Sequence, residues 1–549
     1  MKKVAVLFSI IILCFASNVY AKENAVLPSF DVTFNSQKVE SDYRQFPLIV
    51  YKDITYFPMT YYDCRYLGLT TNWDNDTRTL SIEKSGIACV YRDYKWEWKN
   101  SINNEIAVCN FNIVVNGKEI DNKNELYPLL TFRDVTYFPL TWRFAVDEFG
   151  WEYNFNNDRG LVITSDNPHP EVINLPKLEV SIATDGEYYY YNGNDGDSYY
   201  EGKYYGDKYV VYRTPVNDLS KAEVIYEMPV MGKRAQFSEA GGDIYFSYFA
   251  GGSPVTGNTY FRKIEKDGSV TEGYPPYHYY GKHGRNQLQA NENGIWVIGD
   301  EAHIQAATAF SYVIDGVETK VEPIEEGLTM GQRRNGRKPN YEKVDCIEIL
   351  GDKIYYTAYS QLNSEDSNLY VIDTKTATTT KLIDGVCGFH VYNGWVDELK
   401  CDSTMIIYDN NGILMRYTEL NGDVRKVETS GEEEGMILCG AVGSQTVYTV
   451  QKDIFGKKTV VKAFDCYANG SGSRKGTVFE TTTGTFFNKN EDTLWVYTHG
   501  ESPEDEVRLF VADENGRHYR FSDAVTSVFV YDDILLYITD GKVAEVDLR

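Results

Sequence analysis

The sequence predicts a mostly β protein with two small α+β modules near its N-terminus, followed by a seven- or eight-bladed β-propeller. Three observations lead to this prediction: a ten-residue segment that recurs 81 positions later, a long series of alternating apolar strands, and no sustained helical period beyond residue 170. A chain of 549 residues also exceeds the size of a single hydrophobic core, so at least two domains are expected.

Residues 1–21 are predicted to form a secretory signal peptide. Lys2 and Lys3 precede an apolar run from Val4 to Phe15, and Ala21 is a small residue of the kind that signal peptidase cleaves after. No later stretch reaches the roughly 20 apolar residues that a membrane span requires, so none is expected. We therefore predict a secreted protein that is extracellular or associated with the cell wall.

The chain is acidic, with a formal net charge of −26, and nucleic acid is not an expected partner of such a surface. The cysteines of the mature chain are widely spaced and contain no CxxC pair, which argues against a zinc site or a dense disulfide framework. Cys89 and Cys109 flank one insertion and are the first pair to test for a disulfide, with buried free thiols as the alternative. The mature cysteines are Cys64, Cys89, Cys109, Cys346, Cys387, Cys401, Cys439 and Cys466.

An internal repeat organises the N-terminal part. The segment YKDITYFPMT at residues 51–60 recurs as FRDVTYFPLT at residues 132–141, with an offset of 81 at every position. Flanking features repeat in the same order, which predicts one module over residues 28–84 and a second over 110–166. Residues 85–109 between them are predicted to be an insertion.

Each copy is predicted to contain an opening strand, a strand that ends at proline, a short helix and a closing hairpin. Pro58 and Pro139 mark the strand ends, because proline cannot donate to a sheet ladder. Helix-like apolar spacing follows over Met59 to Leu67 and over Leu140 to Phe149, and each stretch stops at a glycine.

This order of features resembles the copper amine oxidase N-terminal domain-like module of bacterial exported proteins. The features are an Asn-Gly-Lys turn after the opening strand (Asn116 to Lys118, with Asn35 at the matching position of the first copy), the Tyr-Phe-Pro strand end, and a tryptophan after Leu-Gly. The tryptophan is Trp73 in the first copy, and it is matched to Tyr153 in the second. In that family the module is a non-catalytic accessory domain, so the resemblance implies a stalk or attachment unit.

Copper and quinone chemistry is not expected despite the family name. Asn340-Tyr341-Glu342 supplies the tripeptide in which a quinone-forming tyrosine would sit, but Arg337 stands where that family has threonine. The seven histidines include no His-x-His pair, so the copper ligands are missing from the sequence.

Residues 171–549 are predicted to be the propeller, after a linker at Asn167 to Pro170. A turn, an aliphatic residue and an aromatic residue recur in that order, and a spacing of about 40 to 55 residues is typical of four-stranded blades. The last unit has room for only three strands, so Glu171 to Leu175 is predicted to supply its fourth and close the ring. The repeat starts are Gly186–Tyr190, Gly242–Phe246, Asn293–Val297, Gly351–Tyr356, Gly394–Val396, Ser444–Tyr448, Glu491–Tyr497 and Asp532–Tyr537.

These units resemble the Asp-Gly-Ile-Tyr-Tyr propeller repeats that often follow such modules in bacterial exported proteins. The match is incomplete, because the spacing varies and the second strand often lacks the arginine of that repeat. A β-sandwich array and an open solenoid are the alternative architectures.

Two features suggest binding sites. Tyr199, Tyr200, Tyr204 and Tyr205 form a dense aromatic cluster that could stack on sugar rings, although cross-strand aromatic pairing explains tyrosines in sheets equally well. Asp195 and Asp197 lie in the segment Asn192 to Asp197, which gathers oxygen ligands for calcium or is a solvated hairpin turn.

Catalytic motifs are absent from the sequence, which contains no G-x-S-x-G, no H-E-x-x-H and no phosphate loop. The compact basic stretch from Arg333 to Lys338 could dock an anionic polymer or be a solvated loop. The first hypothesis is a non-enzymatic binding or scaffolding protein without a cofactor, whose partner is an envelope polysaccharide or another surface protein. The alternative is a secreted polysaccharide hydrolase or lyase with its site in the propeller channel.

Overall fold

The chain forms two compact units, residues 1–171 and 172–549, in a computed structural model. The predicted signal peptide, Asn340-Tyr341-Glu342 and the basic stretch Arg333 to Lys338 lie outside the described residues. The structure describes residues 23–240, 242–251, 258–272, 289–290, 295–299, 310–314, 317–321, 328–330, 347–360, 367–386, 388–396, 401–410, 413–426, 436–442, 446–452, 459–466, 472–481, 485–489, 493–498, 507–513 and 516–549. Both units are mostly β, as the sequence predicts. Within these residues, no helix has the length and apolar character needed to cross a bilayer.

The first unit contains short strands and two single-turn helices, α1 (Tyr61–Tyr66) and the π-helix π1 (Arg143–Glu148). Its strands are β1 (Glu23–Val26), β2 (Val32–Phe34), β3 (Gln37–Lys38), β4 (Ile49–Tyr51), β5 (Ile54–Pro58), β6 (Leu69–Asp74), β7 (Thr79–Lys84), β8 (Ile87–Ala88), β9 (Asn103–Val108), β10 (Asn112–Val115), β11 (Lys118–Glu119), β12 (Leu130–Phe132), β13 (Val135–Pro139), β14 (Glu152–Asn156) and β15 (Gly160–Thr164).

A closed six-stranded barrel, in the order β1-β4-β5-β13-β12-β9, joins the two repeat copies. Phe57 of β5 lies opposite Phe138 of β13, and Asn24 of β1 lies opposite Glu105 of β9. Each pair is separated by 81 residues, so the repeat offset coincides with a pseudo-twofold axis through the barrel. The repeat therefore extends to β1 and β9, beyond the boundaries that the sequence predicts, and β9 occupies part of the predicted insertion 85–109.

The two copies also exchange strands. The closing strand β7 of the first copy pairs in parallel with the opening strand β10 of the second, and β15 of the second copy pairs with β2 of the first. Two four-stranded sheets result, in the orders β11-β10-β7-β6 and β14-β15-β2-β3. The sequence predicts two modules, whereas the structure forms one intertwined unit from them.

The helices differ between the copies because the second has one residue more. Thr60 and Thr141 are 81 positions apart, but Gly68 and Gly150 are 82 apart. A π-helix in the second copy takes up the added residue, as π-bulges commonly do within helices. Both glycines have positive φ, 74° and 69°, which confirms the predicted glycine stops.

The strand register corrects one pairing of the two copies. Trp73 lies opposite Leu80, and Phe155 lies opposite Leu161, the residue 81 positions after Leu80. The structural counterpart of Trp73 is therefore Phe155 and not Tyr153. Trp73 lies five residues after Gly68 and Phe155 lies five residues after Gly150, so the distance from the glycine agrees with the strand register, whereas Tyr153 is two residues too early.

The cysteines with described side chains are free thiols. Cys89 and Cys109 are both buried, but the Cys89 thiol faces the Tyr62 carbonyl at 3.6 Å and Cys109 Sγ lies 3.3 Å from Thr131 Oγ1. Cys89 and Cys109 therefore do not form the disulfide that was the first pair to test. Cys64 and Cys401 are also free. The side chains of Cys346, Cys387, Cys439 and Cys466 lie outside the described part of the chain.

The second unit consists of antiparallel sheets, mostly of four strands that follow one another along the chain. In the described residues, the first three sheets are β17 (Leu178–Thr184), β18 (Tyr188–Tyr200), β19 (Lys203–Pro215) and β20 (Glu223–Glu227); then β21 (Gln236–Ala240), β22 (Asp243–Ala250), β23 (Asn258–Ile264) and β24 (Val270–Glu272); then β25 (Gln289–Ala290), β26 (Trp296–Gly299), β27 (Phe310–Ile314) and β28 (Val317–Val321). The next three are β29 (Leu328–Met330), β30 (Ile347–Leu350), β31 (Lys353–Ser360), β32 (Ser367–Asp373) and β33 (Thr378–Asp384); then β34 (Gly388–Val396), β35 (Cys401–Asn410), β36 (Ile413–Thr418) and β37 (Asp423–Lys426); then β38 (Met436–Val442), β39 (Thr446–Lys452), β40 (Thr459–Cys466) and β41 (Gly472–Thr481). The last two are β42 (Thr485–Lys489), β43 (Leu494–Thr498), β44 (Leu509–Ala512) and β45 (His518–Phe521); then β46 (Ser527–Tyr531), β47 (Ile534–Thr539) and β48 (Lys542–Asp547) with β16 (Glu171–Ile173). A 3₁₀ turn covers Leu219–Lys221.

The last of these sheets has the order β16-β48-β47-β46, so its outer strand comes from the start of the unit, as the sequence predicts. The recurring aliphatic–aromatic motif lies on the strand that is second in its sheet, for example on β22 and β47. One predicted repeat start is wrong. Gly394–Val396 lies at the end of β34, the first strand of its sheet, and the second strand is β35.

The repeated tyrosine pair is explained by burial on both sides of the second strand. Neighbouring residues on a strand point to opposite faces, so Tyr355 and Tyr356 cannot share one core. Tyr356 packs in a cluster with Val297 of the preceding sheet, whereas Tyr355 packs with Ile406 of the following sheet. This tyrosine pair therefore holds its sheet to both of the neighbouring sheets.

Candidate functional site

The hairpin of β18 and β19 is longer than the sheet that carries it. Each strand has 13 residues, but β17 pairs with β18 only as far as Gly193, and β20 pairs with β19 only from Val210. Residues 194–209 therefore continue as a two-stranded ribbon without further sheet partners among the described residues. At about 3.3 Å per residue, the ribbon extends roughly 20 Å beyond the sheet. We call residues 194–209 the aromatic ribbon.

The tip of the aromatic ribbon presents two tyrosines. Glu201 and Gly202 turn the chain with φ of 49° and 77°, the left-handed pair that a tight hairpin turn needs. Tyr199 and Tyr204 lie opposite each other across the strands with ring centroids 5.6 Å apart. Their exposures of 59% and 55% are high for aromatic side chains, so these two rings are offered to solvent.

The other two tyrosines of the predicted cluster differ from this pair. Tyr205 is half-buried, and the Lys203 ammonium lies 5.6 Å from its ring centroid. The backbone of Tyr200 pairs with Lys203 beside the turn. The aromatic platform that the structure supports is therefore the pair Tyr199 and Tyr204.

Asp195 and Asp197 lie within β18 and not in a turn, which corrects the predicted hairpin turn at Asn192 to Asp197. The Lys177 ammonium donates to Asp195 Oδ1 at 2.7 Å, and this contact lowers the pKa of the carboxyl. Among the residues that the structure describes, no group of three or more histidine, cysteine, aspartate or glutamate side chains is arranged to hold a metal ion. Asp195 is thus an ion-pair partner, and the two carboxylates alone do not make a calcium site.

The base of the aromatic ribbon is fixed by buried and charged contacts. The buried Asn192 accepts a hydrogen bond from the Ala235 amide at 2.9 Å, which ties β18 to the segment before β21. Arg234 forms an ion pair with Glu179 at 2.9 Å and lies over the Tyr209 ring at 5.5 Å. No local sequence feature indicates these contacts, because Arg234 and Ala235 are distant from the hairpin along the chain.

Gly193 marks the point where the aromatic ribbon leaves the sheet. A β carbon at this position would lie 2.6 Å from the Tyr212 ring and 2.8 Å from the Lys177 carbonyl. Only glycine fits, because one neighbour is a packed ring on β19 and the other is the backbone immediately before β17. The ribbon therefore leaves the sheet along a fixed path.

The chemistry of the aromatic ribbon suits ligands with apolar faces and hydroxyl groups. Aromatic rings stack on flat apolar faces, such as those of sugar rings or aromatic side chains. Asp197 and Asp207 lie opposite each other near the tyrosines, and their carboxylates accept hydrogen bonds from the Tyr199 and Tyr209 hydroxyls. Carboxylates accept hydrogen bonds only, so they match a ligand rich in donors.

A second polar group lies on the first strands of two successive sheets. His390 of β34 contacts Glu348 of β30, with His390 Nδ1 2.9 Å from Glu348 Oε2, and the same oxygen accepts the Val391 amide at 2.8 Å. The Tyr392 ring is nearly parallel to the imidazole, at 6.0 Å between centroids. The carboxylate thus fixes the orientation of the imidazole. This pair was not predicted, since its partners are 42 residues apart and belong to different repeats.

No known protein family matches the sequence, and no curated protein matches it. Among solved structures, a putative 6-phosphogluconolactonase from Bacteroides fragilis is 13% identical and covers 67% of this chain and 88% of its own, with a TM-score of 0.25. An oligogalacturonate lyase in complex with manganese is 11% identical and covers 73% and 96%, with a TM-score of 0.28. Prolyl oligopeptidase B from Galerina marginata is 10% identical, with a TM-score of 0.39, and the match covers 67% of this chain but only 54% of that enzyme. These scores are low, and none of these activities is assigned to the chain.

Proposed function

We propose that the chain is a secreted, non-enzymatic binding or scaffolding protein of the bacterial cell envelope. In this proposal the second unit presents the aromatic ribbon to a partner, and the first unit is the stalk or attachment unit that its resemblance implies. The observation that carries the proposal is the exposed pair Tyr199 and Tyr204 at the tip of a hairpin whose base is fixed. Adjacent exposed aromatic rings form an apolar patch of the kind that marks interaction sites.

The second unit is proposed to be an eight-bladed β-propeller. In support, the first strands of successive sheets contact one another, as β17 contacts β21, β30 contacts β34, and β34 contacts β38. The beginning and end of this repeat region also meet, because β17 contacts β46 and β16 completes the sheet of β48. Such a ring places hairpins between second and third strands, like the aromatic ribbon, at one rim.

The ligand class that best fits the aromatic ribbon is an envelope polysaccharide, with another surface protein as the second choice. Stacked tyrosines with nearby carboxylates offer both an apolar face and acceptors for hydroxyl groups. An anionic polymer fits less well, because the carboxylates of Asp197 and Asp207 lie near the rings.

The decisive experiment compares binding of the mature protein and a Tyr199→Ala/Tyr204→Ala variant to purified cell-wall polysaccharide by co-sedimentation. We expect the variant to bind at least about tenfold more weakly, since hot-spot aromatics carry about 2 kcal/mol or more each. Tyr43→Ala removes a similarly exposed tyrosine from the first unit and is the matched control. Equal binding by the ribbon variant and the wild type would refute the role of the ribbon, and a cytoplasmic pool on cell fractionation would refute the envelope assignment.

A polysaccharide hydrolase or lyase is the second candidate, and the oriented His390–Glu348 pair favours it. First strands line the channel in a propeller, and a carboxylate-oriented imidazole is a common general base. The test incubates the protein with envelope polysaccharides and measures new reducing or unsaturated ends. Product formation that His390→Ala abolishes supports this candidate, whereas no product from any polysaccharide that the protein binds removes it.

A further inference from the structure

In the first unit, one segment of the chain lies across a face of the first repeat copy. No such segment lies across the equivalent face of the second copy within the described residues. We call residues 89–100 the cover segment. The covered face consists of the loop at residues 42–46 together with α1. The counterpart of the covered face in the second copy is the loop at residues 123–127 with π1, which we call the open face. The pseudo-twofold axis relates the two faces, but the second copy has no equivalent of the cover segment.

The cover segment binds the covered face partly by strand-like backbone pairing. The Gln45 amide donates to the Tyr94 carbonyl and the Trp96 amide donates to the Tyr43 carbonyl, both at 2.7 Å, around a bridge between Arg44 and Lys95. The extended cover segment thus pairs with the backbone of the loop as an added strand would, the mode of binding known as β-augmentation.

Aromatic contacts complete the cover. The Tyr91 ring lies 5.3 Å from Tyr66 of α1, and the Arg92 guanidinium lies 4.5 Å from the Tyr62 ring centroid. The Tyr62 amide at the start of α1 donates to the Tyr94 hydroxyl at 3.3 Å. The face of α1 is therefore closed by aromatic and basic side chains of the cover segment.

The open face has the same backbone frame. The Leu48 amide donates to Ser41 Oγ at 3.2 Å, and at the equivalent positions the Leu129 amide donates to Asn122 Oδ1 at 2.7 Å. The two loops are thus closed in the same way. Loop residues 124 and 126 on the open face correspond to Tyr43 and Gln45, whose backbone groups hold the cover segment.

In the described part of the chain, those corresponding backbone groups have no hydrogen-bond partner on the open face. Neither the Leu126 amide nor the Asn124 carbonyl makes a hydrogen bond to a described residue. Leu126 is 70% exposed, and Trp142 is 63% exposed, compared with 47% for its counterpart Tyr61 at the helix start of the covered face. An open backbone edge beside a large exposed indole is a template for an added strand.

The charge at one equivalent position has the opposite sign on the two faces. Arg44 on the covered face pairs with Asp63, and its Nε lies 3.9 Å from Asp93 of the cover segment. The residue equivalent to Arg44 on the open face is Glu125, which pairs with Arg143. A segment that docks on the open face therefore needs a basic residue where the cover segment has Asp93.

We propose that the open face binds an extended segment of a partner protein that carries aromatic residues and a lysine or arginine opposite Glu125. The segment adds as a strand to the backbone of residues 124–126 and places an aromatic ring against Trp142. The cover segment shows within this chain how such a segment is held. This site lies in the first unit and is independent of the aromatic ribbon.

The test titrates labelled synthetic peptides into the mature full-length protein and follows fluorescence anisotropy. The probes are the cover segment, residues 89–100, with Asp93→Lys, the same peptide with the Trp96 amide N-methylated, and the unmodified cover segment. We expect saturable binding of the Asp93→Lys peptide and at least about tenfold weaker binding of the N-methylated peptide, which loses its strand donor. The unmodified peptide, with Asp93 opposite Glu125, is expected to bind more weakly than the Asp93→Lys peptide.

Protein variants locate the site. Trp142→Ala removes an exposed side chain, so the fold is retained, and we expect it to weaken binding of the Asp93→Lys peptide at least about tenfold. Tyr199→Ala/Tyr204→Ala is the matched control and is expected to leave peptide binding unchanged. The proposal is overturned if the Asp93→Lys peptide does not bind saturably, or if neither Trp142→Ala nor N-methylation weakens its binding.

Discussion

Asn35 and Asn116 occupy equivalent positions in the two repeat copies, and the same local structure favours asparagine at both. Both have positive φ, 46° and 48°, which places them in the left-handed region that asparagine tolerates better than most residues. Asn35 Oδ1 accepts the Ser165 amide at 2.8 Å, and Asn116 Oδ1 accepts the Lys84 amide at 2.9 Å. Each asparagine therefore forms its own turn and also holds the end of the strand exchanged from the other copy.

Replacing Asn35 is expected to destabilise the first unit. Asn35→Ala loses buried hydrogen bonds and strains the turn, and we expect a loss of about 2 to 4 kcal/mol in the free energy of unfolding. Asn35→Gly keeps the positive φ and loses only the side-chain bonds, so it is expected to cost less. Urea unfolding of both variants measures this, with the exposed Gln37→Ala as the control. Equal stability of Asn35→Ala and the wild type would contradict the assigned role.

The buried thiols lead to a second prediction at this scale. Burial raises the pKa of Cys109 to about 12 and also raises the pKa of Cys64, so almost no thiolate exists at neutral pH. We expect Cys64, Cys89 and Cys109 to resist alkylation in the folded protein and to react fully after unfolding in denaturant. Peptide mapping by mass spectrometry reads each site separately. A peptide linked by a Cys89–Cys109 disulfide in a non-reduced digest would contradict this prediction.

Single elements show where a short motif predicts structure and where it does not. Two adjacent tyrosines predict the second strand of a sheet, because their side chains point to opposite faces of the strand and this strand is buried on both faces. Gly394-Trp395-Val396 has the same composition but ends a first strand, since composition does not record which strands flank it. The extra residue before Gly150 is visible in the repeat offset, but only the packing of π1 shows that it widens a helical turn instead of lengthening a loop.

Strand β48 is expected to be required by the whole second unit. It lies between β16 and β47, and Val543, Ala544 and Val546 are buried. Burial of each large apolar side chain contributes roughly 1.5 to 3 kcal/mol, so truncation after residue 541 is expected to remove several kcal/mol and expose two strand edges. Size-exclusion chromatography and calorimetry should show aggregation or a lower melting temperature. Deletion of the exposed Arg549 alone is the control, and an unchanged melting temperature after truncation would contradict the role of β48.

At the scale of the whole molecule, the first unit is one folding unit built from two copies. Strands β2 and β10 each pair with the closing strand of the other copy, and the barrel needs three strands from each copy. Neither copy can satisfy its strand edges alone. Exchange of this kind within one chain corresponds to domain swapping between the subunits of a dimer.

This arrangement predicts the behaviour of fragments. A fragment of residues 23–171 is expected to unfold cooperatively, whereas a fragment of residues 23–102, which holds only the first copy, is expected to be unfolded or dimeric. Circular dichroism with thermal melting reports folding, and analytical ultracentrifugation reports the number of chains. A folded monomer of residues 23–102 would show that the copies are independent and would contradict the exchanged strands.

The mostly β class, the repeat with its offset and the glycine helix stops can be predicted from the sequence alone, because proline and glycine constrain φ and alternating apolar residues need a buried face. The strand that completes the last sheet can also be predicted, because the last unit has room for only three strands and closure removes an exposed edge. The sequence also identified the tyrosine cluster of the aromatic ribbon, but the tertiary structure decided that Tyr199 and Tyr204 are the exposed pair. The tertiary structure alone decided that Asp195 pairs with Lys177, that Cys89 and Cys109 stay apart, and that the two copies exchange strands. Each of these depends on which residues meet across long separations in the chain, and the packing of the whole fold sets those meetings.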